Sequence, residues 1–462
     1  MNNEIISWNV NFRNIFKCRV DHDNKINVYY INSFGSEQYL NDYCLKIVEC
    51  VKLFDNNTYP VILINSYNGG GTGYISQILL ELLCPTVSFN IYAAMRKTHN
   101  FHNSSEFNGF LTNYANSENC EELTYEYLTK KNYTINYGDN ILDTLTEPFI
   151  LLSKDNIKQI NNIKKQLKNP RKPTDILVFT DGYSYSATAI FLKYFQYYGG
   201  GITVGYFYNP YINAPLDSGL SPTILYDNFL LRILSPEGYK PFYDKYKFNL
   251  KIPGIQIFYS PNNLSNPLEY EITPIDEKVE IYEHFNDNNY YKFINESLKI
   301  LNKYKNKCNP NNTKLVLTAI ECDKNFENKY THGGYKCGED GAWSNICVPS
   351  YCDFGYIFDH NKQKCIIDVC SEREEEKGKD DEGKNNKNDK NDIVFFYLVV
   401  GIALISIIFI TIIICIFLIK KLKNTKTKQI NIDDEINFEE NINTEDDINM
   451  ENNNIQLSEK KF

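Results

Sequence analysis

Two stretches of the chain share one pattern, and that pattern limits the fold more than any other feature. "YPVILINSYNGGGTGYISQILLELL" passes from an apolar strand through a glycine loop into a run with helical spacing. "DILVFTDGYSYSATAIFLKYFQYYGGGITVGYF", residues 175–207, repeats the sequence of events: apolar run, Thr180-Asp181-Gly182 turn, helix from Ala187, second apolar strand. Strand, turn, helix and strand in that order build right-handed βαβ units, with helices covering a largely parallel sheet. "KINVYYINSF" (25–34) and "TVSFNIYAAM" (86–95) read as further strands, and "EQYLNDYCLKIVECVKLF" (37–54) and "NIKQINNIKKQLKN" (156–169) as helices. The main domain is therefore expected over 22–285, after an N-terminal remnant of 1–21. Residues 97–148, polar and irregular, are expected to be a long insertion.

A second constraint lies near the C-terminus. Ile393 to Ile419 is an uncharged apolar run of 27 residues, and a bilayer-spanning helix needs about 20. Lysines flank it on both sides, so Lys and Arg alone barely orient it. The cysteines do. Of 13, all but Cys415 precede the span, and seven crowd into Cys308 to Cys370 at spacings expected of a disulfide-stapled extracellular module. Acceptor sequons at Asn56, Asn103, Asn132, Asn263, Asn295 and Asn311 also precede it.

The expected order is thus main domain, helical linker 286–307, Cys-rich EGF-like module 308–370, charged stalk 371–392, transmembrane helix 393–419 and disordered cytosolic tail 420–462. The N-terminal side would be extracellular or lumenal. Zinc in the module is set aside, because paired C-x2-C spacings are missing. The first 20 residues hold no apolar signal-peptide core. The expectation is a chain truncated at its N-terminus, with an unrecognised export route as the other option. A net charge of −10 without a basic stripe speaks against nucleic-acid binding, and no cofactor is expected.

The chemistry centres on the two turns. The loop "NSYNGGGTG", Asn65 to Gly73, matches neither the phosphate-cradling nor the dinucleotide pattern. Three successive glycines between strand and helix still permit positive φ, close backbone approach and exposed amides at a helix start. In the other turn, Ser186 stands where a helix begins. It is suited either to cap that helix or to act as a nucleophile at the positive end of its dipole, with the Ala187 amide free for an oxyanion. Spacing alone leaves both readings open.

Taken together, "VILINSYNGGGTG" and "VFTDGYSYSATAIFLKYFQYYGGGITVGY" resemble the tail-specific or C-terminal-processing serine protease superfamily, over roughly 22–285. There a D-L-R-x-N-x-G-G loop precedes a serine turn. The resemblance implies an α/β fold with a crotonase-like (ClpP-like) core of βαβ units. "TDGYSYSAT" is closer to the T-D-G-x-C-x-S-T-C turn of the fungal and chlamydial-protease-like branch, which implies Ser186 as nucleophile. "NPLEYEITPID" is similar to that branch's P-x-E-[FY] segment and implies Glu269 as orienter of the base. The implied oxyanion hole uses the amides of Ala187 and of Gly70 or Gly71.

The chain also departs from the family. Asn65 and Tyr67 stand where Asp and Arg are usual, and a PDZ domain is missing. No lysine follows the strand after the serine helix before Lys240, and Lys193, within that helix, is expected at the surface. His22, His99 and His102 sit in no matching motif, so the base is unassigned. Two functions follow as expectations: a membrane-anchored serine-type endopeptidase acting on extracellular polypeptides, or a catalytically dead relative serving as a surface binding, receptor or adhesion module.

Overall fold

Five-residue runs such as Val61–Asn65 and Ile176–Thr180 carry side chains to both faces of a sheet, so they are stable only when both faces are covered. The computed structural model describes residues 6–371 apart from 36, 86, 88, 98–102, 137–141, 209–215, 227–230, 232–238, 248–250, 320, 323–325 and 327. It builds such a sheet. Seven strands lie side by side in chain order: β1 (Val10–Phe12), β2 (Phe16–Asp21), β3 (Ile26–Ile31), β4 (Val61–Asn65), β5 (Ile176–Thr180), β6 (Ile202–Gly205) and β7 (Glu277–Lys278). The first two pairings are antiparallel, and every pairing from β3 onward is parallel. The sheet is therefore mixed, with a parallel centre, and it takes in residues 10–21.

Parallel neighbours joined in sequence by right-handed crossovers must place their helices on one face. Helices α1 (Leu40–Phe54), α2 (Gly73–Leu83), α3 (Lys154–Lys164) and α4 (Ala187–Tyr197) do so, burying Ile47, Ile78, Ile157 and Phe191 with Val61, Leu63, Ile176 and Val178. The alternate residues Ile62, Ile64, Leu177 and Phe179 point to the other face. There α5 (Tyr290–Tyr304) covers them with Phe293, Ile294, Ile300 and Leu301. The disulfide Cys18–Cys50 pins α1 to β2.

A second sheet of five short strands pairs Ile252–Phe258 with Tyr92–Met95 and Ile224–Tyr226, all antiparallel, and continues through Phe149–Ile150 to Ala115–Asn116. "TVSFNIYAAM" thus forms a strand only at its end, and in this sheet rather than the main one. Residues 97–148 carry short regular elements, including the helix Ser105–Leu111 capped by Ser104.

Lys193, expected at the surface, is completely buried. Its Nζ binds both Asp217 carboxylate oxygens at 3.1 Å and the Glu271 carbonyl at 2.6 Å. The helical face that the sequence leaves polar is packed against another segment, where Asp217 partners the buried lysine.

The Cys-rich segment forms a three-stranded antiparallel sheet (Val316–Thr318, Thr331–Cys337, Trp343–Cys352) and a hairpin (Tyr356–Asp359, Lys364–Ile367). Three disulfides close within it: Cys308–Cys337, Cys322–Cys347 and Cys352–Cys365. The seventh cysteine, Cys370, pairs with Cys120, 250 residues away. On loop entropy alone such a link contributes about 5 kcal/mol. The described residues fall within one compact unit. Cys44 and Cys84 are free. Residues 372–462, and with them the expected stalk, span and tail, lie outside the described residues. Among those described, no helix is long and apolar enough to cross a membrane.

One group here gives a pH dependence. His360 packs against Tyr197 and Tyr198 with Nδ1 3.3 Å from Lys314 Nζ, and burial, then the lysine charge, push its pKa down to about 3. The unfolded imidazole binds its proton near 6.5, so between the two values the folded state holds fewer protons. Stability should therefore rise from about pH 3 to 6.5, by at most about 1.4 kcal/mol per unit, and be level above that. Melting curves of the wild type and His360→Gln should converge near neutrality and separate on acidification. Parallel curves contradict this.

Candidate active site

Both turns sit at the C-terminal ends of parallel strands, where α/β folds place their sites. At the end of β5, Thr180 Oγ1 donates to the Ser218 carbonyl at 2.8 Å and lies 3.1 Å from Ser184 Oγ, which accepts from Asn65 Nδ2 at 2.7 Å. Ser184 is fully buried and ties β5 to β4. It is structural.

Ser186 differs in every respect. Its φ of 54° and ψ of −124° lie where non-glycine residues are rare, at a cost of roughly 1–3 kcal/mol. Its amide, donating to the Ser221 carbonyl at 2.8 Å, and its carbonyl, accepting from Ile190 at 3.0 Å, hold it there. The hydroxyl makes no capping bond, and no described side chain hydrogen-bonds it. Ser186 is half-buried at the start of an 11-residue helix, and its hydroxyl is left without a protein partner among the described residues. The adjacent Ala187 amide has no protein partner among the described residues.

The glycine loop is fitted against this serine. A Cβ on Gly70, whose φ is +104°, would come within 2.8 Å of Ser186 Cβ and 2.7 Å of the Tyr185 carbonyl oxygen. Tyr185 N donates to Asn68 O at 3.3 Å, joining the two turns. Gly70 N already donates to Asn68 Oδ1 at 3.0 Å. The Gly71 amide is uncommitted among the described residues and Gly71 is exposed. Of the three amides considered for an oxyanion, those of Gly71 and Ala187 are therefore available.

Glu269 lies in the short helical turn Leu268–Tyr270 and is mostly buried. It accepts from Arg96 Nη2 and Gln256 Nε2, each at 2.8 Å, and from Thr223 Oγ1. Arg96 Nε also lies 2.9 Å from Asp143. Its charge reaches the serine turn: the Tyr185 phenol is raised by burial and then by Glu269. None of its partners is a base, since arginine keeps its proton and neither an amide nor a hydroxyl takes one up near neutral pH. His99 and His102 lie outside the described residues. His22 follows β2, where β3 begins, at the sheet end opposite Ser186.

The sequence did not single out a couple formed by Asp181 and His284. Asp181, at the end of β5, is buried; its Oδ2 accepts from Tyr67 N at 2.5 Å and its Oδ1 from Tyr183 N at 3.0 Å. This carboxylate thereby joins the glycine loop to the serine turn. His284 Nδ1 lies 3.3 Å from Oδ2, close but not in hydrogen-bond geometry, and its ring packs at 4.2 Å from Phe207 and 5.2 Å from Tyr67. Asp181 reads in sequence as a turn residue, and His284 sits in a polar stretch without periodicity, so no local signal pairs them.

No family model matches the chain, and no curated protein matches it. Solved structures do. Over 62% of its length the chain is similar to a candidate peptidase from Parabacteroides merdae, at 14% identity, 64% of that chain and a TM-score of 0.32. Over 65% it is similar to a candidate S41 protease from Bacteroides fragilis, at 12% identity, 57% of that chain and a TM-score of 0.32. Mature CPAF is matched over 62% of this chain and 54% of its own, at 11% identity and a TM-score of 0.30. The chain spans less than two thirds of each of these proteins. At such identities and TM-scores the likeness assigns no activity.

Proposed function

We propose that this chain is a serine-type peptidase-like protein acting on extended polypeptide, with Ser186 as nucleophile. One observation carries the reading: a strained serine with a free hydroxyl at a helix start, beside an uncommitted amide. In this reading Ser186 Oγ attacks the scissile carbonyl, and the Ala187 and Gly71 amides take the oxyanion. Asp181 orients His284, whose Nε2 receives the serine proton through a water. Residues 393–419 anchor the chain, with the α/β unit on the extracellular or lumenal side.

A specific observation favours a second reading, a binding module without catalysis. No described side chain hydrogen-bonds Ser186 Oγ, and Glu269 is committed to Arg96, Gln256 and Thr223. Fluorophosphonate labelling separates the two. The wild type should label and Ser186→Ala should not, while His284→Gln should label at least about tenfold more slowly. An unlabelled wild type, or equal labelling of Ser186→Ala, leaves the binding module. Normal labelling of His284→Gln removes that histidine alone.

A further inference from the structure

A cavity of about 280 Å³ lies between the C-terminal end of α4, residues 271–276 and residues 309–314. One ordered water needs roughly 10–15 Å³ by the same measure, so the space suits a small molecule. Gln196 lines it ten residues beyond Ser186, about 15 Å along the helix, so the cavity is separate from the serine site.

One buried polar atom of this wall lacks the partner that burial normally requires, and two half-buried charges beside it have no counter-ion within ion-pair distance among the described residues. Gln196 Nε2 donates to Thr203 Oγ1 and the Pro274 carbonyl, yet its buried Oε1 accepts nothing from the described residues. The Glu271 carboxylate is half-buried without a hydrogen bond or ion pair among the described residues. Lys314 is half-buried, and its ammonium meets His360 and the face of Tyr197 but no described carboxylate. The two charges are too far apart for an ion pair, yet near enough for each to feel the other. Burial raises the Glu271 pKa and lowers that of Lys314, so each charge is partly stripped of water. Tyr197 and Tyr259, stacked at 3.8 Å, supply an apolar wall.

We propose that this cavity binds a small zwitterion with an apolar side chain, a free α-amino acid or short peptide. Its ammonium meets Glu271 and Gln196, its carboxylate meets Lys314, and its side chain lies on the tyrosines. Nothing in this depends on Ser186 being catalytic.

Calorimetric titration of the full-length chain with L-leucine tests it, with N-acetyl-L-leucine amide as the probe lacking both charges. L-leucine should bind saturably and the blocked amide should not. Lys314→Met and Glu271→Gln should each weaken leucine binding at least about tenfold, as expected for a lost buried charge contact. Melting temperatures of both variants show that they fold. A leucine response that is missing, or equal to that of the blocked amide, overturns the proposal whatever the variants do. So does wild-type affinity in both variants.

Discussion

Gly70→Ala is expected to abolish labelling of Ser186 and to destabilise the fold by roughly 2–4 kcal/mol. The new methyl would stand 2.7 Å from the Tyr185 carbonyl oxygen and 2.8 Å from Ser186 Cβ. Both contacts are closer than real Cβ atoms tolerate. The backbone at φ +104° is also unfavourable for any side chain. Neither neighbour can give way: Tyr185 N is held by Asn68, and the Ser186 amide by Ser221. Gly69→Ala is the control, since a methyl placed there would meet no heavy atom within 4 Å and φ is not positive. It should change stability by less than about 0.5 kcal/mol. Urea unfolding and the labelling rate read both effects, and a Gly70→Ala protein that labels normally would falsify the close fit of loop to serine.

The largest stability effect is expected at Lys164→Met, roughly 3–5 kcal/mol. Lys164 Nζ donates to Glu81 Oε2 at 2.7 Å and to the Val87 carbonyl at 2.8 Å, with both side chains buried between α2 and α3. Removing the ammonium strands a carboxylate whose pKa burial already raises and which only the lysine and the Phe89 amide hold down. Adding Glu81→Gln should then recover part of the loss. An amide keeps an acceptor for Phe89 N without the uncompensated charge. If the double variant is less stable than Lys164→Met alone, stranded charge is not the cause. Urea unfolding of the single and double variants decides.

Both effects expose what the chain conveys locally. β4 and β5 were legible because a strand buried on both faces must be apolar throughout. α4 was legible to within a residue because its apolar spacing starts at Ala187 and stops before three successive glycines, Gly199 to Gly201. α5 announced its amphipathic stripe, though nothing local told that the stripe docks on the sheet's second face. Lys164 and Lys193 are unreadable as buried residues, because a lysine in a helix looks the same whether its partner is solvent or a distant carboxylate. Cys370 was grouped with its sequence neighbours, and its partner Cys120 lies beyond any spacing rule. His284 and Asp181 stand 103 positions apart and meet only through the sheet.

The sequence by itself determined the parallel βαβ core, because burial and helical periodicity are local properties of side-chain order. It also determined that a serine and a glycine loop open the two helices. Only the tertiary structure decided which serine is strained and left without a partner among the described residues, and which is buried as a clamp. It also decided that Gly71 rather than Gly70 keeps a free amide, and that Glu269 holds an arginine. Those outcomes depend on hydrogen bonds and close contacts between segments far apart in the chain, and the distances that make or break such contacts are set by packing.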